Sequence, residues 1–209
     1  MIETLPMWAA ALAAAGGGYL LGSIPFGFIA ARLGGAGDIR RVGSGNIGAT
    51  NVLRTGRRDL ALITLLADGG KGAAAFAMGA WLFGPPMGIA AAGAAFLGHL
   101  FPVWLSFRGG KGLATFLGIL FVAAPLVGIS AAVVWLCVFA IGRISSASAL
   151  VAALAAPPLC LLFHESADGR FWLTSGMALL IFVRHHQNIR RLLAGEEPRV
   201  GDKSRSAIS

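Results

Sequence analysis

Residues 113–141 read LATFLGILFVAAPLVGISAAVVWLCVFAI, 29 residues without one charged side chain. As a single helix the run carries the chain across a bilayer once. Broken at Pro125, whose ring and missing N–H interrupt a helix, it returns the chain to the side it left. The flanking charges separate the two readings. With a hairpin, every Lys and Arg except Lys71 and Arg170 falls on one side of the membrane, including Arg108 and Lys111 before the run and Arg143 after it. A single long helix puts Arg143 and the basic tail on the opposite side, against the tendency of cytoplasmic loops to hold Lys and Arg. The hairpin predicts an all-α polytopic membrane protein of about seven transmembrane helices, N-terminus outside and C-terminus cytoplasmic.

Composition points the same way: 56% of residues are hydrophobic and only 12% charged, with a mean hydropathy of +0.76, which excludes an ordinary soluble protein. A net charge of +8 invites a nucleic-acid reading, but basic clusters spaced between apolar segments are the signature of membrane orientation, and no nucleic-acid partner is expected. Cys137 and Cys160 lie inside apolar segments, so neither a disulfide framework nor a metal site is indicated. The first basic residue is Arg32. A basic leader is therefore missing, and the first apolar segment is expected to remain as a span.

Apolar segments run over 7–31, 60–83, 87–105, the two halves of 113–141, 147–163 and 171–183. Pro25 should kink the first near its inner end. Residues 34–59 form the longest polar loop, and 164–170 a short outer one. A single transmembrane domain over 1–195 is expected, followed by a short polar cytoplasmic tail, 196–209, frayed from the fold. No matching Gly- or Pro-broken segments relate the two halves, as they do in inverted-repeat transporters.

Polar residues of several kinds collect on the predicted inner face. In the first loop, Ser44, Asn46, Gly48, Thr50, Asn51 and Arg54 combine turn glycines with hydroxyls, amides and a guanidinium able to grip phosphate in a bidentate way. The plainer reading is an Asx-rich loop capping a helix at Thr50 or Asn51. The second is Gly98-His99 followed by Phe107-Arg108-Gly109-Gly110-Lys111-Gly112, where closely spaced glycines allow backbone N–H groups to converge on a phosphate beside the N-terminus of the next helix. Read plainly, this is a basic turn at the membrane surface. Asp68 and Lys71 share a helix face within the second span, as a functional site or a neutralising pair.

Ser145, Ser146 and Ser148 follow Arg143, where hydroxyls cap a helix or touch a ligand. At the end of the last span His185, Asn188 and Arg191 recur at i, i+3 and i+6, presenting an imidazole, an amide and a guanidinium on roughly one face. A snorkelling basic anchor explains the arginines better than the His and Asn. Phosphate grips, neutral polar residues and one possible base beside lipid suggest a site that handles a phosphorylated substrate next to an acyl chain.

Three blocks then resemble the signature motifs of the bacterial acyl-phosphate:glycerol-3-phosphate acyltransferase family: Ser44-Gly45-Asn46-Ile47-Gly48-Ala49-Thr50-Asn51, the stretch from Gly98-His99 to Gly112, and Arg184-His185 with Asn188-Ile189 and Arg191-Leu192. Asp68-Gly69-Gly70-Lys71-Gly72 resembles the family's D-x-x-K-G. Ser145-Ser146 falls at its serine-containing inner turn, with Ile144 where an aromatic residue is often found. The resemblance implies acyl transfer from acyl phosphate to the 1-hydroxyl of glycerol 3-phosphate, giving lysophosphatidic acid and phosphate, the first step of phospholipid synthesis. It also implies an inner-membrane enzyme with its active site facing the cytoplasm, using no acyl-CoA, metal or cofactor and fed by an upstream acyl-phosphate-forming enzyme. The His-x4-Asp pair of the soluble-type acyltransferases is missing, since Trp104, Gly169, Arg190 and Arg191 stand five after the four histidines.

On this reading His185, Asn188, Lys111 and Ser146 are expected to be catalytic. Ser44, Asn46, Gly48, Thr50, Asn51, Arg54, Lys71, His99, Gly109, Gly110, Gly112 and Arg191 are expected to bind substrate or phosphate. The alternative is a transporter or flippase for a phosphate ester, which requires polar residues continuing across the bilayer. Residues 76–95 and 149–162 carry no charge.

Overall fold

The computed structural model describes residues 5–165 and 169–201, and every regular element among them is helical. In chain order the α-helices are α1 Met7–Ser23, α2 Phe26–Leu33, α3 Ala49–Leu53, α4 Arg58–Phe83, α5 Pro85–Leu100, α6 Leu113–Ala123, α7 Pro125–Gly142, α8 Ser145–Leu162, α9 Arg170–Arg184 and α10 His186–Leu193. Among the described residues, five segments are long and apolar enough to cross a membrane: Met7–Leu33, Arg58–Phe83, Pro85–Leu105, Pro125–Gly142 and Ser145–Leu162. The apolar α6, Leu113–Ala123, is shorter. Helices suit this solvent because each satisfies its own backbone hydrogen bonds where no water can.

Residues 113–141 are indeed broken. Ala124 leaves helical geometry (φ −148°, ψ 76°) and Pro125 starts α7 at a position where its missing N–H costs nothing. Across the turn, Gly128 lies against the backbone of Leu120 and Phe121, so α6 and α7 pack against each other. Pro25 has a stronger effect than a kink: it separates α1 from α2. The carbonyl of Ile24 exposed at this break accepts a hydrogen bond from Lys71 Nζ at 2.8 Å.

Small residues of the first and third spans serve packing. A Cβ on Gly22 would collide with the Ala95 backbone, so α1 and α5 approach at backbone distance, as small residues allow between membrane helices. The main core joins Phe96 and Leu100 of α5, Phe116 and Ile119 of α6, Val127 of α7 and Ile181 of α9. A second cluster, including Ile39, Ile47, Val52 and Leu60, holds the first polar loop against α4. Outward-facing side chains such as Trp8, Leu66, Trp81 and Leu154 remain exposed, as a lipid-facing surface requires.

The tail departs from expectation. Residues 202–209 lie outside the described residues, as does Asp168 in the outer loop, but the start of the tail is fastened to the fold. Val200 N donates to Arg143 O at 2.8 Å, and the side chain of Glu197 is only 6% exposed. Frayed polar tail and docked strap have the same composition. What separates them is the partner waiting on α8 and α10.

Candidate active site

A cavity of about 660 Å³ opens where the first loop, the glycine stretch, the start of α8 and the end of α9 meet. One end is polar. The other is walled by Leu62 and Leu65 of α4, Leu113 and Leu117 of α6 and Leu136 of α7, of which Leu62, Leu65 and Leu136 are also exposed on the protein surface. A cavity with one ionic and one lipid-facing end suits an amphiphile.

The first loop contributes Ser44, Asn46, Gly48, Thr50, Asn51 and Arg54 to the lining. Asn51 is fully engaged within the protein: its Oδ1 accepts from Ser44 N at 3.1 Å and Ser44 Oγ at 3.3 Å, and its Nδ2 donates to Ile39 O at 2.8 Å. It fastens the loop, so its expected role in substrate binding becomes one of shaping. Neither it nor Thr50 caps α3, whose N-cap is Gly48. Thr50 Oγ1 instead lies 3.0 Å from Ser145 Oγ, linking the loop to α8. Arg54 remains exposed at the mouth.

The glycine stretch differs from a phosphate nest. Gly109 N donates to Leu100 O at 3.1 Å and Gly110 N to His99 O at 3.0 Å, so two of the amides expected to bind phosphate are already spent. Gly109 and Gly110 are also missing from the cavity lining, whereas Lys111 and Gly112 are part of it. The carbonyls of Gly109 and Gly110 accept from Arg184 Nη2 at 2.9 Å and Nε at 3.2 Å. Position 110 requires glycine because a Cβ there would enter the His99 ring. Lys71 is likewise displaced from its expected role: it sits below the cavity, with Nζ 2.7 Å from Asp68 Oδ1, while Asp68 and His99 line the floor.

The polar end is organised by a residue missing from the expected set, Glu197. Its Oε1 accepts from Ser146 Oγ at 2.6 Å and Asn188 Nδ2 at 2.5 Å, and its Oε2 from Arg191 Nε at 2.6 Å. Asn188 in turn accepts from Lys111 Nζ at 2.6 Å. Burial alone would raise the Glu197 carboxyl, but the bonds from Ser146, Asn188 and Arg191 outweigh it and hold the group ionised. The signal in the sequence was slight: an acidic pair, Glu196-Glu197, just after a strongly basic helix.

His185 Nδ1 donates to Ile181 O at 2.8 Å, since a carbonyl can only accept. The tautomer is thereby fixed, leaving Nε2 with a free lone pair. Burial, reinforced by the charge of Lys111, pushes its pKa down to about 4, so the ring is neutral at pH 7 and able to accept a proton. Lys111 is pushed down to about 8, first by burial and then by Arg191, Arg54 and Arg184, with Glu197 opposing. It is therefore an ammonium below pH 8 and loses that charge above it. If the ammonium is the active form, kcat/KM measured across pH 6–10 falls as pH rises through about 8. Lys111→Arg, which cannot deprotonate in this range, flattens that limb.

Apolar helices around a cationic, carboxylate-braced pocket beside exposed leucines describe an integral membrane protein whose cavity suits an anionic amphiphile. Known proteins make this particular. A profile of the glycerol-3-phosphate acyltransferase family matches residues 12–195, and the chain belongs to that family. A glycerol-3-phosphate acyltransferase of Caulobacter vibrioides is 60% identical over 189 residues, covering 90% of this chain and 86% of the relative. One of Maricaulis maris is 54% identical over 196 residues, covering 92% and 88%. The crystal structure of PlsY, an integral membrane glycerol 3-phosphate acyltransferase, in its glycerol 3-phosphate form superposes with a TM-score of 0.86 at 36% identity, covering 91% of this chain and 96% of that one. Its lysophosphatidic acid form gives 0.82 at 34% identity, covering 91% and 95%.

Proposed function

We propose that this acyltransferase takes its acyl group from acyl phosphate and transfers it to the 1-hydroxyl of glycerol 3-phosphate, releasing lysophosphatidic acid and inorganic phosphate, without metal or cofactor. The observation that carries this reading is the cavity itself: Lys111, Arg54 and Arg191 stand at one end and the leucines of α4, α6 and α7 at the other. Two phosphates and one acyl chain are the groups such a space accepts.

The glycerol hydroxyl oxygen attacks the acyl carbonyl carbon, a C–O bond forms, and the bond from that carbon to the phosphate oxygen breaks. The hydroxyl proton passes to His185 Nε2 or to a phosphate oxygen, and the electron pair leaves with phosphate. Phosphate is already a good leaving group, so the protein's work is to position the hydroxyl and neutralise charge. Lys111 faces the departing phosphate, and Arg54 with the first loop faces the other. Asn188 and Ser146 orient the reacting groups, while Ser44, Asn46, Gly48, Thr50 and Gly112 shape the walls.

Seven spans, with the N-terminus outside and the site and tail facing the cytoplasm of the inner membrane, fit this chemistry, because glycerol 3-phosphate is water-soluble. The catalytic unit spans 1–195. Glu197 of the tail supplies its brace, and an upstream enzyme forms the acyl phosphate.

The decisive assay gives purified protein glycerol 3-phosphate with acyl phosphate, and in parallel with acyl-CoA. Phosphate and lysophosphatidic acid should appear one for one with the first donor only. Turnover with acyl-CoA alone would overturn the donor assignment. Arg54→Ala should raise KM for a phosphorylated substrate roughly 10-fold or more, since a charge-assisted contact contributes about 1.5–3 kcal/mol. Wild-type KM would reduce the first loop to a connector.

A further inference from the structure

Below the glycine stretch lies a buried ionic group that the chemistry above leaves without a task. Asp68 of α4 and His99 of α5 are 2% and 4% exposed, and both line the cavity floor. Asp68 Oδ1 is 2.7 Å from Lys71 Nζ and 3.6 Å from His99 Nδ1. The second distance exceeds a hydrogen bond but keeps the carboxylate directly behind the imidazole. Ionised groups at this depth are costly, and replacing a buried ion pair by apolar residues of similar volume is often neutral or stabilising. Neutralising Lys71 is therefore an insufficient reason for Asp68, since losing both charges would serve stability as well.

The geometry above the pair gives a better reason. The far edge of the His99 ring, at Nε2, occupies the space that a side chain at position 110 would need. The His99 carbonyl also accepts the Gly110 N–H. Lys111, the next residue, reaches Asn188 Oδ1. From the other side, Thr115 Oγ1 of α6 donates to the Asp68 carbonyl at 2.9 Å. Position 68 thus adjoins both flanks of the segment that carries Lys111: its carboxylate stands behind the imidazole that meets Gly110, and its backbone carbonyl receives the first turn of α6.

We propose that Asp68 and His99 are positioning residues for Lys111, the imidazole forming the floor on which Gly110 rests and the carboxylate fixing the ring from behind. This rests on the assignment of Lys111 to the departing phosphate. A misplacement of about 1 Å in a preorganised group is enough to cost up to roughly 100-fold in rate, so a residue that sets the height of the Lys111 backbone controls turnover through Lys111.

The test is a double-mutant cycle on kcat. Asp68→Asn alone leaves the Lys71 ammonium buried without its counter-charge and reports mainly on folding. The informative variant combines Asp68→Asn with Lys71→Met, removing both charges together. In the Lys111 background it should insert normally and lower kcat roughly 10- to 100-fold. In a Lys111→Ala background it should cause no further loss, because the group being positioned is gone. An equal fold-loss in both backgrounds, or wild-type kcat in the first, overturns the proposal. Should that variant fail to insert, the same cycle with His99→Leu reads the same coupling. Wild-type turnover in Lys111→Ala itself would overturn the assignment of Lys111, a distinct failure visible in the single variant.

Discussion

Replacing Lys111 with alanine is expected to lower kcat by roughly 100-fold or more, the usual consequence of removing one preorganised donor from a site where charge develops. The ammonium is held toward Asn188 among Arg54, Arg184 and Arg191, so its position is defined before any substrate arrives. Lys111→Arg should recover only part of the loss, because a planar fork does not occupy the place of a compact ammonium. Arg108, three residues earlier and exposed, is the internal control: Arg108→Lys should leave kcat and both KM values unchanged. Steady-state kinetics on purified protein distinguishes these outcomes. If Lys111→Ala kept most of its turnover while the Arg108 change abolished it, the phosphate would be held from the other side of the glycine stretch.

A comparably large effect is expected at Glu197. Its carboxylate holds Ser146, Asn188 and Arg191 together, and charge-assisted bonds of this kind contribute about 1.5–3 kcal/mol each. Glu197→Gln keeps the volume but removes the charge, and should reduce kcat/KM by roughly 100-fold, about 2.7 kcal/mol. It carries a second signature with a fixed sign. Glu197 raises the pKa of Lys111, so its loss should move the alkaline limb of the pH profile below pH 8. A variant with tighter substrate binding at unchanged kcat would show instead that the carboxylate competes with phosphate.

Residues whose roles depend on local pattern were legible in the sequence. The break at Pro125 followed from charge bookkeeping around an uncharged run, and the convergence of His185, Asn188 and Arg191 on the cavity from their spacing, although the helix expected to carry all three is interrupted at His185. Where the reading went astray, the deciding contact was one that residue type and spacing do not report. Gly109 and Gly110 looked like a phosphate nest because glycine spacing reports that backbone is accessible, but not what fills the space beside it. Here that is the ring and carbonyl of His99. Lys71 looked like a site residue because a charge inside a span demands a partner; the pairing with Asp68 was the plainer of the two readings, and the Ile24 carbonyl is the partner that spacing did not suggest. Asn51 resembled a ligand for the same reason that it works as a fastener: a primary amide donates and accepts. Glu197 was missed because its partners Asn188 and Arg191 lie across the end of α10, where no helical period continues, and Ser146 lies 51 residues away.

The exposed leucine wall between α4 and α7 bears on how this enzyme must be measured. An acyl donor that arrives through that wall comes from the bilayer, so the concentration it presents is its share of the lipid rather than its amount per litre. Glycerol 3-phosphate is dissolved in water and obeys ordinary bulk units. Diluting the donor with inert detergent or lipid at constant total amount should raise the donor's apparent KM in proportion. The KM for glycerol 3-phosphate should stay where it was. A rate comparison between two preparations is therefore meaningful only when the mole fraction of donor in the micelle or vesicle is held the same.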